Sequence, residues 1–293
     1  GGSGRLTDAL VSVIEEHGGE IICDLVVDSL VLEGGRCVGF STTDGSQFFG
    51  KEGVLSTIHV KHLVDMAPAE NWGEDFIYGV ETYDIGIPLL AIFLAMNEIP
   101  TFAGKKETDT AVSSGLGLWP NEVASQLRDI RDKKPVDGSA WTLVATPSLV
   151  DPTRAPKGKQ TVKILVPASH VAPYGAQNWD DAKEQHADRI IDYIQTAVPN
   201  LNASTIEHRI VKSPLDIERA NRHMINGAAH GGDKTSAFSG PLRPVPGWAS
   251  HKMPIPGLYQ TGGTTHPGGS ITGFPGRNAA MVMMKDLDLP FPG

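Results

Sequence analysis

The chain has little cysteine, no excess of positive charge, few aromatic residues and no apolar run of membrane length, and each shortage removes a class of function. Two cysteines in 293 residues, Cys23 and Cys37, cannot build a disulfide framework or a four-cysteine metal site. Both fall in stretches that read as strands, where a free thiol behaves as a small buried hydrophobe. A reducing, cytoplasmic setting is the expectation. Lys and Arg number 25 against 34 Asp and Glu, a formal charge of −9, so the basic stripe of a nucleic-acid binder is missing. The longest apolar stretch, Ile85 to Met96, is broken by Gly86 and Pro88. A transmembrane helix needs about 20 such residues, so this stretch is expected to be a core strand and no transmembrane segment is expected. No signal-peptide pattern, internal repeat or low-complexity tract stands out.

Other chemistry is thin as well. No G-x-S-x-G elbow and no H-E-x-x-H pattern occurs. His59-Val60-Lys61-His62 would put two imidazoles three positions apart on one face if the stretch is helical, but no Cys pair or H-E-x-x-H pattern supplies a third and fourth ligand, so no metal is expected. His223 and His230 flank glycines and His266 sits inside a glycine-rich motif; each is either a structural histidine or a ligand contact. The acidic pairs Glu15-Glu16 and Asp180-Asp181 read as solvated helix faces.

What is present is a strong C-terminal pattern. The stretch from Gly257 to Gly273, followed by the small and apolar run Asn278 to Met284, reads as a short strand, a glycine-rich crossing and a helix start. Glycines 262, 263, 268, 269 and 273 remove the Cβ atoms that hold a ligand off the backbone. A helix start leaves N–H groups unpaired and carries about half a positive charge, which suits an anionic or flat ligand. No acidic ribose partner follows about 20 residues later, as a primary dinucleotide loop requires. The motif is therefore read as the closing contact to a cofactor gripped mainly elsewhere.

Upstream, Gly1-Gly2-Ser3-Gly4 precedes a helix whose Leu6, Ala9, Leu10, Val13 and Ile14 share one face, ending at Gly18-Gly19. Strand signals follow at Ile21 to Leu32, Cys37 to Ser41, Gln47 to Phe49 and Gly53 to Ile58, with a Glu33-Gly34-Gly35-Arg36 turn. Between the two glycine-rich regions lie strands near Leu89 to Leu94, Trp141 to Ala145, Val162 to Val166 and Ser204 to Val211. Helices are read from Asp180 to Ala197 and from Leu215 to Met224. The length fits about two domains.

In four stretches the sequence resembles the phytoene desaturase-like, FAD-dependent oxidoreductases of the amine oxidase-type flavoprotein superfamily. They are Gly1 through Gly19 with Val27 and Leu30; Pro147-Ser148, Asp151-Pro152, Ala155-Pro156, Gly158-Lys159 and Pro173-Tyr174; Asn226-Gly227 with Gly231-Gly232; and Leu258 through Ala280. The last holds Thr265-His266-Pro267-Gly268-Gly269 and Gly273-Phe274-Pro275-Gly276-Arg277-Asn278-Ala279-Ala280. One departure is large: the strand, G-x-G-x-x-G turn and acidic ribose partner that open the family's members are absent. A smaller one is Ser270-Ile271-Thr272, where relatives often carry a glycine and another small residue.

The resemblance implies a mixed α/β fold. Residues 1–70 would be the second segment of a Rossmann-like FAD domain, 71–250 an inserted substrate-binding domain of mixed sheet and helix, and 251–293 the closing FAD segment. It implies FAD as cofactor, held by Val27, Gly262, Gly263, Gly268, Gly269, Ile271, Thr272 and Gly273, with hydride passing between a hydrophobic substrate and the flavin. No catalytic residue is assigned. Phe76, Tyr78, Phe93 and Trp119 are candidates for an apolar tunnel or for the core. Beside that resemblance, the expectation is a truncated or cleaved piece or one subunit of a split enzyme, for which a companion chain would carry the N-terminal FAD-binding loop; peripheral membrane contact is compatible with the apolar substrate. The alternatives are a subunit that only completes a partner's flavin site, and a non-catalytic scaffold.

Overall fold

The structure is a computed structural model and describes residues 1–106, 111–138 and 141–291. The chain forms two compact units, each made of two segments. One comprises Gly1–Ile21 and Ile87–Arg222, the other Ile22–Gly86 and His223–Gly293.

The first unit is built on five antiparallel strands. They are β5 (Leu89–Met96), β6 (Ser113–Gly117), β7 (Trp141–Ala145), β8 (Gln160–Pro167) and β9 (Ile206–Lys212), in the order β6-β7-β8-β5-β9. Side chains alternate across a strand. Leu90, Ile92, Leu94 and Met96 of β5 therefore join Val162, Ile164 and Val166 of β8 in one buried core. The helix α5 (Trp179–Gln195) closes that core with Trp179, Ala182, Ile190, Ile191 and Ile194. Its start is well specified: the Asn178 side chain accepts from the Asp180 N–H at 2.8 Å, and two acidic residues occupy the first turn. Asp180, expected to face water alone, also pairs with Arg219 at 2.9 Å. The helix α6 (Pro214–Ala220) begins at a reciprocal Ser213–Asp216 cap, and α4 (Pro120–Arg131) adds a helix that the sequence reading did not reach.

Helix α1 (Gly4–Glu16) forms where the sequence predicts it, but its apolar stripe is uncovered: Leu6, Leu10, Val13 and Ile14 are all exposed and no residue of the helix is buried.

In the second unit β1 (Val27–Glu33), β2 (Arg36–Thr42) and β3 (Gln47–Phe49) make the expected antiparallel meander. Gly34 and Gly35 turn between the first two with φ of +56° and +77°, which side chains with a Cβ rarely adopt. The first strand starts at Val27 rather than Ile21. Residues 21–26 pair with nothing in a sheet, so Cys23 is exposed and outside any strand, while Cys37 is buried in β2 and its thiol is pushed up by burial. Two further strands, β4 (Val54–Ser56) and β10 (Leu258–Gln260), run parallel with Val54 opposite Leu258 and Ser56 opposite Gln260. Helices α2 (Val60–Leu63), α3 (Glu74–Glu81) and α7 (Phe274–Asp286) complete the unit.

The units divide at other residues than the segments read from sequence, which broke after 70 and 250. Trp72, Phe76, Val80, Tyr83 and Val245 pack in one core with Val60, Leu63, Ile255 and Leu258, so 71–86 and 223–250 lie with the glycine-rich unit. Residues 1–21 group with the five-stranded sheet.

Candidate functional site

Because β4 and β10 are parallel, their C-terminal ends adjoin, and chain leaves both at one place. Ligands in open α/β sheets sit outside such ends. The Thr261 N–H donates to the Ser56 carbonyl at 2.9 Å, and Gly262 (φ +88°) lies against Thr57. Gln260, fully buried, braces the turn: its Nε2 donates to the Ile58 carbonyl at 2.6 Å and to Thr264 Oγ1 at 3.2 Å. Thr265 closes it, its N–H and Oγ1 donating to the Gly262 carbonyl at 3.2 and 3.1 Å. A cavity of about 170 Å³ opens beside this end, lined by Val27, Leu30, Phe40, Leu63 and the run Val54 to Ile58. Val27 and Gly262 thus meet through Thr57, which lines the cavity and abuts the glycine. Small-molecule sites usually enclose about 300–1,000 Å³, so these walls surround only part of a dinucleotide.

The motif glycines divide by what a side chain would strike. A Cβ on Gly269 would fall 2.8 Å from the His230 carbonyl oxygen, and one on Gly263 3.1 Å from His223 Nε2. On Gly268 it would meet the Arg243 guanidinium at 3.2 Å. These three are small because protein packs against them from behind. Gly273 and Gly276 instead face open space, with nothing within 4 Å of a Cβ. The sequence reading gave all five motif glycines one reason; the structure supplies two.

The outer half of the motif is unusual backbone. Ile271, β-branched, holds φ +57° and is 82% exposed, Ser270 holds φ +124°, and Gly273 caps α7 in the left-handed region at +73°. Gly273 offers the first turn no side chain, and Thr272 Oγ1 accepts from the Phe274 N–H at 3.4 Å. Thr272 and Phe274 are exposed beside it. The structure therefore gathers Val27, Gly262, Gly263, Gly268, Gly269, Ile271, Thr272 and Gly273 in one unit, Val27 on the wall of the cavity that Thr57 also lines, Gly262 against Thr57, and the last three at the exposed start of α7.

Behind the bend lies a polar layer. The His59 ring makes edge contacts with His223 (5.1 Å), Tyr83 (6.0 Å) and His62 (6.1 Å) between centroids. Burial, reinforced by His223, His62, Lys61 and Arg243, pushes the His59 imidazole down to about 3, so it is neutral near pH 7. Burial likewise lowers His223 and His230, and raises the Tyr83 phenol to about 12. Tyr83 donates to the Gly231 carbonyl at 2.9 Å. Three buried polar atoms here have no hydrogen-bond partner: Arg243 Nε, Gln260 Oε1 and Thr261 Oγ1. Among the described residues no group of three or more His, Cys, Asp or Glu is placed to hold a metal ion.

Other candidates scatter. Phe76 is core of the second unit, stacked on Trp72 at 5.4 Å; Tyr78, Phe93 and Trp119 are exposed, the last at 77%. His266 is exposed in the motif itself. Sequence reasoning missed Arg243, Gln260 and Lys234. The available signal was an arginine standing inside Pro241-Leu242-Arg243-Pro244-Val245-Pro246, where nothing else is charged. A flavin fits these residues: glycines open to space at the helix start, a cavity at the ends of parallel strands, and unsatisfied polar groups beneath.

No protein-family model matches the sequence. The mouse (Mus musculus) pyridine nucleotide-disulfide oxidoreductase domain-containing protein 2 is 26% identical over 296 residues, covering 98% of this chain and 51% of that protein. A lycopene-forming phytoene desaturase of Pseudescherichia vulneris is 25% identical over 302 residues, covering 98% of this chain and 56% of its own length. The chain therefore spans about half the length of the curated relatives it matches. An oxidoreductase structure from Methanosarcina mazei superposes with a TM-score of 0.55 at 15% identity, over 96% of this chain and 53% of that one, and shares the fold. Along nearly its whole length this chain is similar in sequence to phytoene desaturases and to a pyridine nucleotide-disulfide oxidoreductase domain protein, and in fold to a solved oxidoreductase.

Proposed function

We propose that the chain carries the closing half of a flavin site in an FAD-dependent oxidoreductase acting on a hydrophobic organic molecule. FAD, when bound, would accept hydride from a substrate C–H bond; the chain's own part is to place and polarise. Val27 and the Thr57–Gly262 contact would bound the nucleotide side, while Ile271, Thr272 and Gly273 present backbone at the start of α7. That helix points its positive end outward, worth about 0.3–1 kcal/mol toward negative charge at an exposed site. The observation that carries the reading is the glycine bend crossing the adjoining C-terminal ends of two parallel strands, open at Gly273 and Gly276.

A second reading, that the chain completes a flavin site begun by a companion polypeptide, is favoured by one feature. The parallel sheet has only two strands among the described residues, whereas parallel sheets are usually broader and covered on both faces. Visible spectra of the purified chain with FAD, alone and with a candidate N-terminal segment, test both. Bound flavin in the chain alone rejects the companion reading. Bound flavin only with the segment supports it, and no flavin in either case rejects the proposal.

A further inference from the structure

Arg243 is 1% exposed, yet its guanidinium spends its donors on backbone. Nη1 donates to the Asp233 carbonyl at 2.7 Å and the Phe238 carbonyl at 3.1 Å; Nη2 donates to the His230 carbonyl at 3.3 Å and to that of Gly263. One side chain therefore ties the 230–238 segment to the inner face of the bend at Gly263. Its remaining donor, Nε, is buried without a partner and lies 3.4 Å from where a Gly268 Cβ would stand. Gly268 is thus the lid over a buried positive charge, and any larger residue there would push the bend off the arginine. The Tyr83 ring packs on the other side, 5.8 Å from the guanidinium carbon.

A second cation holds the rim. Lys234, exposed, donates from Nζ to Ser270 Oγ at 2.7 Å and to the Gly269 carbonyl at 3.3 Å. It fixes the residue whose φ of +124° sends the chain outward to Ile271 and Gly273.

We infer that Arg243 and Lys234 are positioning residues that hold the bend from beneath and from its rim, and that their two positive charges favour the reduced, negatively charged form of a flavin lying on it. The inference rests on the flavin reading. Arginine suits the buried place because its planar fork serves several carbonyls at once, and because it stays charged where a lysine would lose its proton more readily. Charge beneath a low-dielectric bend acts more strongly than charge in water.

The test uses flavin-loaded protein, with the N-terminal segment added if loading needs it, and measures FAD affinity and the two-electron reduction potential at pH 7. Arg243→Gln is expected to bind the reduced form about tenfold more weakly relative to the oxidised form, a potential about 30 mV more negative. Arg243→Lys lacks the fork and, in the same buried place, holds its proton less firmly, so FAD affinity is expected to drop several-fold and the potential to fall between the parent and Arg243→Gln values. Lys234→Ala, at an exposed position, should shift the potential the same way by a smaller amount. An Arg243→Gln protein that folds, binds FAD and keeps the parent potential overturns the inference. Should that variant not fold, an unchanged potential in Lys234→Ala overturns it. Parent protein that never takes up flavin refutes the flavin reading instead, a distinct result.

Discussion

The two units use burial differently. In the five-stranded unit the fully buried side chains are mostly Leu, Ile, Val and Ala of β5, β8 and α5, a core that specifies shape mainly by volume. In the glycine-rich unit Arg243, His59, Gln260, Thr264 and Thr265 are buried as deeply as the aliphatic residues. Apolar packing tolerates small errors, whereas a buried polar group is stabilising only when its partners are in place. The first arrangement suits a scaffold, and the second underlies the candidate site.

The contrast is open to direct attack. Ile164→Ala or Ile190→Ala removes a fully buried side chain from the scaffold and is expected to destabilise that unit by about 2–5 kcal/mol. Hydrogen exchange would show protection falling in β5, β8 and α5, with FAD affinity little changed if the units are energetically separate. Within the site, Gly269→Val and Gly273→Val separate the two kinds of glycine. The first drives a side chain into the His230 carbonyl and should distort the bend, lowering both stability and FAD binding by at least tenfold. At Gly273 a side chain meets no protein atom but must adopt a left-handed backbone, at about 1–2 kcal/mol, so FAD binding should suffer more than stability. Equal effects of the two substitutions on both readouts would erase the distinction.

Acid gives the smallest and most diagnostic effect. The folded His59 titrates near 3, below the ordinary value of 6.5, so between these values the unfolded chain binds the extra proton. Its contribution is fully present above about pH 6.5 and is lost as pH falls toward 3. His186 in the scaffold, lowered to about 4 by burial, acts with the same sign. His59→Asn keeps an acceptor for the Lys61 N–H while removing the titration. Urea midpoints measured from pH 7 to pH 5 should therefore slope less in His59→Asn than in the parent, and parallel slopes would contradict the assignment.

Much of the scaffold was legible because its signals are local. The continuous apolar run from Leu89 to Leu94 and the stripe Ile190-Ile191-Ile194 each declare an element within a few residues. The strand, crossing and helix at 258–286 were legible for the same reason. What failed depends on distance. Residues 21–26 have strand composition but no strand beside them, and α1 has an amphipathic face with no cover in its unit. The roles of Gly263 and Gly268 could not be read at all, since they depend on His223 and Arg243, far away in sequence. Arg243 itself joins no helical or strand period, so no pattern singles it out.

Gln260 divides the motif into a jaw that is set and one that is free to be set. Residues up to Thr265 are cross-braced through Ile58, Thr264 and Gly262, and their amides exchange with solvent only when the surrounding core opens. From Ser270 to Phe274 every residue is exposed, and that arm is held at its base by Lys234, which donates to Ser270 Oγ. On the flavin reading, selectivity among ligands is expected of the outer arm and retention of the inner one.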